Sequence, residues 1–206
     1  LCSSMALLQT FAPKTRPQRE LWVDAIQVAV GARHIAGALP DRSVAPQEAY
    51  MVGLLHDFGR IVLQDFERAD LPHSPEIRLA QPELMVTLEQ DTLGFDHAEA
   101  GARALELWGL PDALAGYVRN HHAAQAEGAE VESSLLLEVV QVADRLSVHL
   151  QHNPRCVRSD SLATLLQVTK KSLAGHPDFP LSPDQLADLA PGIRAETVDL
   201  ALGLGI

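Results

Sequence analysis

Apolar residues recur along this chain at the 3.6-residue spacing of an α-helix, and nearly every run stops at a glycine or a proline. Over residues 20–39, Leu21, Val28, Ile35 and Leu39 follow that period together with Ala25, Ala29, Ala32 and Ala36, and Pro40 and Asp41 close the run. Pro46 suits a first helical turn, with Glu48 beside it, and the run 49–58 is expected to stop at Gly59 as a left-handed terminator. Residues 61–66 read as a short helix. Pro72, Pro75 and Pro82 mark a broken connection before a helix over 83–93, which Gly94 ends. Asp96 and Glu99 form a capping-box-like pair that starts a helix to Trp108. Gly109 terminates it, and Pro111 opens a helix that reaches His121 and His122. A polar gap over 123–128 precedes a long helix over about 133–150. In the tail, Pro154, Pro177, Pro180, Pro183 and Pro191 predict short helices, with Ser182-Pro183-Asp184 as a start signal. About eight helices and no strand run predict an all-α, multi-helix bundle.

Composition agrees with this pattern. Aromatic residues are only 4% of the chain while Ala and Leu abound, which favours helices over strands. A length of 206 residues suits one substantial core, or one core plus a small appendage. The expected division is a helical domain over 1–150 and a C-terminal helical extension over 151–206 packed on it through Leu186, Leu189 and Ile193. The first residue is Leu1 and an apolar stretch, Ala6, Leu7, Leu8 and Phe11, follows without a cap, so the chain is expected to begin inside a longer protein.

Charge and cysteine usage exclude several classes. The net charge is −11, and no Lys/Arg stripe reverses it locally, so direct nucleic-acid binding is not expected. Cys2 and Cys156 lie far apart in no metal-like spacing, which suits a reducing, cytoplasmic setting. No run of 18 apolar residues exists, so no membrane span is expected.

The residues that could carry chemistry are imidazoles and carboxylates at helix ends. His56-Asp57 closes an apolar helix, and His121-His122 forms a second such pair. Imidazole with carboxylate suits a divalent ion, but adjacent helical residues point about 100° apart and share one ion only near a helix end. By themselves, His56 could be a core-edge histidine bonded to backbone and Asp57 a helix-end acid. Asp144 lies within an apolar run, Val142-Ala143-Asp144-Arg145-Leu146, where a carboxylate is costly unless paired or bound to a cation. Pairing with Arg145 or Arg119, or simple exposure, would equally account for it. His97 could be a ligand or part of its helix cap. Asp24 reads as solvent-facing.

Gly53-Leu54-Leu55-His56-Asp57-Phe58-Gly59-Arg60, after Leu21-Trp22-Val23-Asp24-Ala25, resembles the opening of an HD-superfamily domain. Leu93-Gly94-Phe95-Asp96-His97-Ala98-Glu99-Ala100-Gly101, then Trp108-Gly109-Leu110-Pro111, His121-His122 and Val142-Ala143-Asp144-Arg145-Leu146, resembles the HDOD branch in particular. The resemblance runs over about residues 1–150 and implies a helical bundle of HD-domain type. It also implies a metal site at Asp24, His56, Asp57 and Asp144. His97, His121 and His122 would serve a second ion or a phosphate, as in the related HD-GYP phosphodiesterases.

Two departures bear on activity. Asp24 stands where the phosphohydrolase pattern has His, which changes charge, reach and metal preference. Ala123-Ala124-Gln125-Ala126-Glu127 replaces the continuation to Gly-Tyr-Pro associated with cyclic-dinucleotide hydrolysis. Arg60, Arg119 and Arg145 are scattered, with no basic cluster to hold a phosphate. The resemblance therefore implies a bacterial regulatory signalling domain with a degenerate, non-catalytic metal site. Other signalling proteins, or fused receiver or nucleotide-signalling domains, would be its partners, and a homo-oligomer is compatible with it. The alternative is a metal-dependent phosphohydrolase acting on a nucleotide or phosphodiester; a small-ligand sensor is a third reading.

Overall fold

A computed structural model describes residues 12–65, 82–122, 134–152 and 162–206. Among the described residues there are nine helices and no strand. They are α1 (Arg16–Ala38), α2 (Pro46–Leu55), α3 (Phe58–Asp65), α4 (Pro82–Leu93), α5 (His97–Leu107), α6 (Asp112–Asn120), α7 (Leu135–His152), α8 (Leu162–Ser172) and α9 (Pro183–Gly203). No helix among them is long and apolar enough to cross a membrane.

Helix α1 starts earlier than its apolar period because its cap is polar. The Thr15 side chain accepts from the Gln18 amide, and the Gln18 side chain accepts from the Thr15 amide, satisfying two donors that a helix start leaves open. Residues 24–32 of α1 are buried without a break, so this helix runs through the centre of the bundle. On one flank Trp22, Ile26 and Val30 pack with Leu54, Phe58, Leu105, Leu146 and Ile193. On another, Val28, Ala32 and Ile35 pack with Val52, Val139, Val142 and Leu186. Gly53 lets α2 lie close, since a Cβ there would stand 3.0 Å from the Ala29 Cα. That approach brings the His56-Asp57 end of α2 against the middle of the bundle.

Two expected breaks are not breaks. Gly59 does not terminate a helix; it lies in the first turn of α3, and it is absent from the glycines with positive φ. Its role is contact: a Cβ on Gly59 would overlap the His97 carbonyl oxygen and come within 2.7 Å of the Gly101 amide nitrogen. Gly94 and Gly109, at φ +83° and +71°, are the left-handed terminators of α4 and α5.

Nor does Pro191 divide the tail. A proline inside a helix costs ~3 kcal/mol, yet α9, 21 residues long, runs unbroken through it. Leu186, Ala187, Ala190, Ile193, Thr197 and Ala201 are buried on both sides of Pro191, and their packing supports a continuous helix. A Ser182–Gln185 capping box opens α9 as its start signal predicts. Arg33 and His34 of α1 bind Glu196 of α9, the latter at 2.8 Å. Phe66, Pro72, Pro75, Pro154, both cysteines, the apolar stretch at 6–11 and the polar gap at 123–128 lie outside the described residues.

Candidate metal centre

Between α2 and α3 the chain makes a turn of two residues, His56 and Asp57. This turn resolves the geometric difficulty of adjacent ligands, because neither residue sits within a regular helix. His56 caps α2, and its Nδ1–H donates to the Gly53 carbonyl at 2.7 Å, which leaves Nε2 facing inward. Nε2 stands 3.7 Å from Asp57 Oδ2 and 3.7 Å from Asp144 Oδ1.

The same arrangement recurs at His121, which caps α6. Its Nδ1–H donates to the Val118 carbonyl at 2.6 Å, and its Nε2 lies 3.4 Å from Asp57 Oδ1. Gln141 of α7 donates to the His121 carbonyl at 3.0 Å and ties this corner to the long helix. His97 opens α5 immediately after the Asp96 cap, whose side chain accepts from the Glu99 amide. Its Nδ1 meets Glu89 Oε2 at 2.5 Å, and its Nε2 lies 3.2 Å from Asp57 Oδ1 and 2.8 Å from His122 Nε2. Three imidazoles thus have Nδ1 engaged by an acceptor and Nε2 directed at one carboxylate. Fixing one ring nitrogen as a donor is how proteins present the other as a metal ligand.

Burial acts to lower the His56 pKa, but the negative charges of Asp57, Asp144 and Asp24 outweigh it and raise the pKa to about 9. Burial acts to raise the Asp57 pKa, whereas the Arg60 and His56 charges and the close approach of the His121 and His97 rings hold it well below the carboxylate range. Burial lowers His121, partly offset by Asp57. His122 is pushed well below the usual imidazole range, first by burial and then by the neighbouring His121 and His97 rings. His122 is accordingly neutral near pH 7, with a lone pair to offer.

Among the described residues, Asp57, His97, His121 and His122 each offer one ligand atom, all within 4.8 Å of one another. Metal–nitrogen bonds of about 2.0–2.1 Å place neighbouring ligand atoms roughly 3 Å apart. The separations of 2.8 Å, 3.2 Å and 3.4 Å between these atoms are of that size. One carboxylate and three imidazoles suit a borderline divalent ion such as zinc, iron or manganese. The donor set fits a metal.

The sequence-predicted residues divide into three groups. Asp57, His97, His121 and His122 form the compact set. His56 and Asp144 stand beside it, linked to each other through the His56 imidazole, with the Asp144 side chain 24% exposed. Asp24 is not solvent-facing: it is 2% exposed, and its Oδ1 accepts from Ser147 Oγ at 3.0 Å. Arg119 is taken up by Glu99 and Glu106, and Arg145 by the Ala174 carbonyl. Arg60 is not scattered: it is buried, with Nε 3.4 Å from Asp57 Oδ1.

Glu89 escapes the motif reading altogether. It is 2% exposed and accepts from both the backbone and the ring of His97. Its signal is positional, four residues after the buried Met85 on the same face of α4.

The family model for the HDOD domain matches residues 1–124. An uncharacterized protein of Treponema pallidum (strain Nichols) is 29% identical over 108 residues, which are 51% of this chain and 20% of that protein. The matched region therefore spans about one fifth of that relative's length. Among solved structures, a provisionally named phosphohydrolase from Shewanella amazonensis SB2B superposes with a TM-score of 0.69 at 18% identity, covering 94% of this chain and 67% of that one. The response regulator MmoQ of Methylococcus capsulatus (Bath) gives 0.54 at 21% identity, over 82% and 59%. An HDOD domain protein of unknown function from Geobacter sulfurreducens gives 0.51 at 19% identity, over 93% and 63%. These three likenesses bear on the fold. The family match over more than half of the sequence bears on descent, and by it the chain belongs to the HDOD domain family.

Proposed function

We propose that this chain is a non-catalytic signalling domain that retains a divalent-metal centre at Asp57, His97, His121 and His122. The observation that carries this reading is the convergence of three imidazole nitrogens and one carboxylate in the bundle, while Asp24 lies outside that compact set and its Oδ1 accepts from Ser147. The ligands come from the α2–α3 turn, the start of α5 and the end of α6, so a bound ion would tie three chain segments together. An ion so held stabilises one arrangement of those segments over others, which is what a domain needs to pass on a state. Partners in this reading are other signalling proteins or fused receiver or nucleotide-signalling domains. The likeness to a response regulator supports that direction. With a net charge of −11, nucleic acid is not proposed as a direct partner.

The test is metal analysis of protein purified without chelator, together with a hydrolysis screen using a phosphodiester, a phosphomonoester and cyclic dinucleotides. The expected result is close to one equivalent of a divalent ion, lost in Asp57→Ala and His121→Ala, with no turnover. A folded protein that takes up no zinc, iron or manganese would remove the metal centre.

A second reading, metal-dependent phosphohydrolase, is favoured by Arg60, a buried cation beside Asp57. A bound ion would supply Lewis-acid polarisation of a phosphate and a water of lowered pKa. Arg60 would neutralise phosphate oxygens, Asp144 would accept a proton, and His56 would hold the Asp57 carboxylate in place. Turnover abolished by His56→Ala and Arg60→Gln would establish this reading over the first.

A further inference from the structure

We propose that Glu89, which none of the family motifs includes, is the positioning residue of the centre. One of its carboxylate oxygens, buried at the α4–α5 corner, holds His97 with Nδ1 protonated and Nε2 directed at Asp57 and His122. The inference rests on the metal-centre reading and names what sets the geometry of one of its ligands.

The argument comes from a shared acceptor. Glu89 Oε2 lies 2.8 Å from the His97 backbone nitrogen and 2.5 Å from His97 Nδ1. The backbone nitrogen is always a donor, so the atom it meets must accept. A ring nitrogen that close to the same oxygen must then carry the proton, which leaves Nε2 with its lone pair facing inward. The backbone bond also fixes where Oε2 sits relative to the His97 main chain, so the ring cannot swing without losing one of its two bonds. Gln90, next along α4, donates to Asp96 Oδ2 at 2.8 Å, so adjacent residues clamp the start of α5. Both Glu89 and His97 are buried, and a carboxylate there is costly unless hydrogen-bonded in this way. Outer partners of this kind are worth 10–100-fold in metal affinity.

The test compares two variants of equal size, one with an acceptor and one without: Glu89→Gln and Glu89→Met. Cobalt(II) is titrated into each protein and followed by its visible absorption, and the His97 ring nitrogens are read by ¹⁵N NMR in metal-free protein. Glu89→Gln is expected to keep Nδ1 protonated and bind cobalt within a few-fold of wild type. Glu89→Met is expected to lose the Nδ1-protonated signature and bind 10–100-fold more weakly. Wild-type His97 with an unprotonated Nδ1 would overturn the inference even if Glu89→Met does not fold. So would a folded Glu89→Met with unchanged affinity and unchanged His97 signals. If the wild type takes up no cobalt, the metal-centre reading falls, while loss of the Nδ1 signature in Glu89→Met alone would still uphold the role of Glu89.

Discussion

Gly59 and His97 touch where α3 crosses α5: a methyl group on Gly59 would overlap the His97 carbonyl oxygen, and Gly101 supplies the matching gap on α5. The crossing sets the distance from the Asp57 turn to the first residue of α5. It is a backbone contact, so neither helix can yield by turning a side chain.

Gly59→Ala should therefore strain the crossing and displace His97. Overpacking of this kind costs ~1–3 kcal/mol, occasionally more. Chemical denaturation should show that loss, and cobalt affinity should fall with it. Gly116→Ala is the control, since a Cβ there meets nothing within 4 Å and alanine suits a helix interior.

Among the histidines, metal affinity should rank by membership of the compact set. His121→Ala and His97→Ala remove a ligand atom from the 4.8 Å group and should weaken zinc or cobalt binding at least 100-fold. His56→Ala removes a neighbour of Asp57 and should weaken it less. Calorimetric titration of chelator-stripped proteins reads the order, and equal losses in all three would show that His56 is itself a ligand.

Helix α9 contributes Ala187, Ala190 and Ile193 to the core cluster that holds Trp22 and Ile26 of α1. Ile193 is buried beside Gly31 of α1, with its Cγ2 3.9 Å from the position of a Cβ there. Ile193→Ala should destabilise the protein by ~2–5 kcal/mol as a large-to-small core change. A single cooperative transition shifted as a whole is the expected outcome. A separate early transition for the C-terminal region would show that α9 is only an appendage.

The clasp between α1 and α9 should make stability depend on acid. The hydrogen bond from Arg33, opposed by partial burial and aided by His34, holds the Glu196 carboxyl below its usual value of 4.5. A carboxylate whose pKa is depressed in the folded state adds stability that is present above its unfolded pKa and lost as pH falls through the folded one. Melting temperatures of wild type and Glu196→Gln should therefore differ at pH 7 and converge as the pH falls below 4.5 and through the lower folded-state value. The pair is partly exposed, so the effect at pH 7 should be small, up to ~1 kcal/mol, and should shrink in high salt.

Much of this molecule is local and hence legible in one dimension. The 3.6-residue apolar period, the Ser182 start signal, the Asp96 cap and the left-handed Gly94 and Gly109 each act within a few residues, and each appears where the pattern places it. The chemistry-bearing pairs His56-Asp57 and His121-His122 could be singled out for the same reason, as polar residues at the ends of apolar helices. What proximity in sequence could not decide was which of them meet. Gly59 reads as a terminator until α5 is laid across it, and Pro191 as a break until the core on both its sides keeps the helix continuous. Asp24 reads as surface until α7 brings Ser147 against it, and Glu89 reads as nothing until His97 folds back onto it. Hydrogen bonds and ligand geometry act over about 3 Å, whereas their partners here lie from 8 to 123 residues apart along the chain. Only the packing of the helices supplies that proximity.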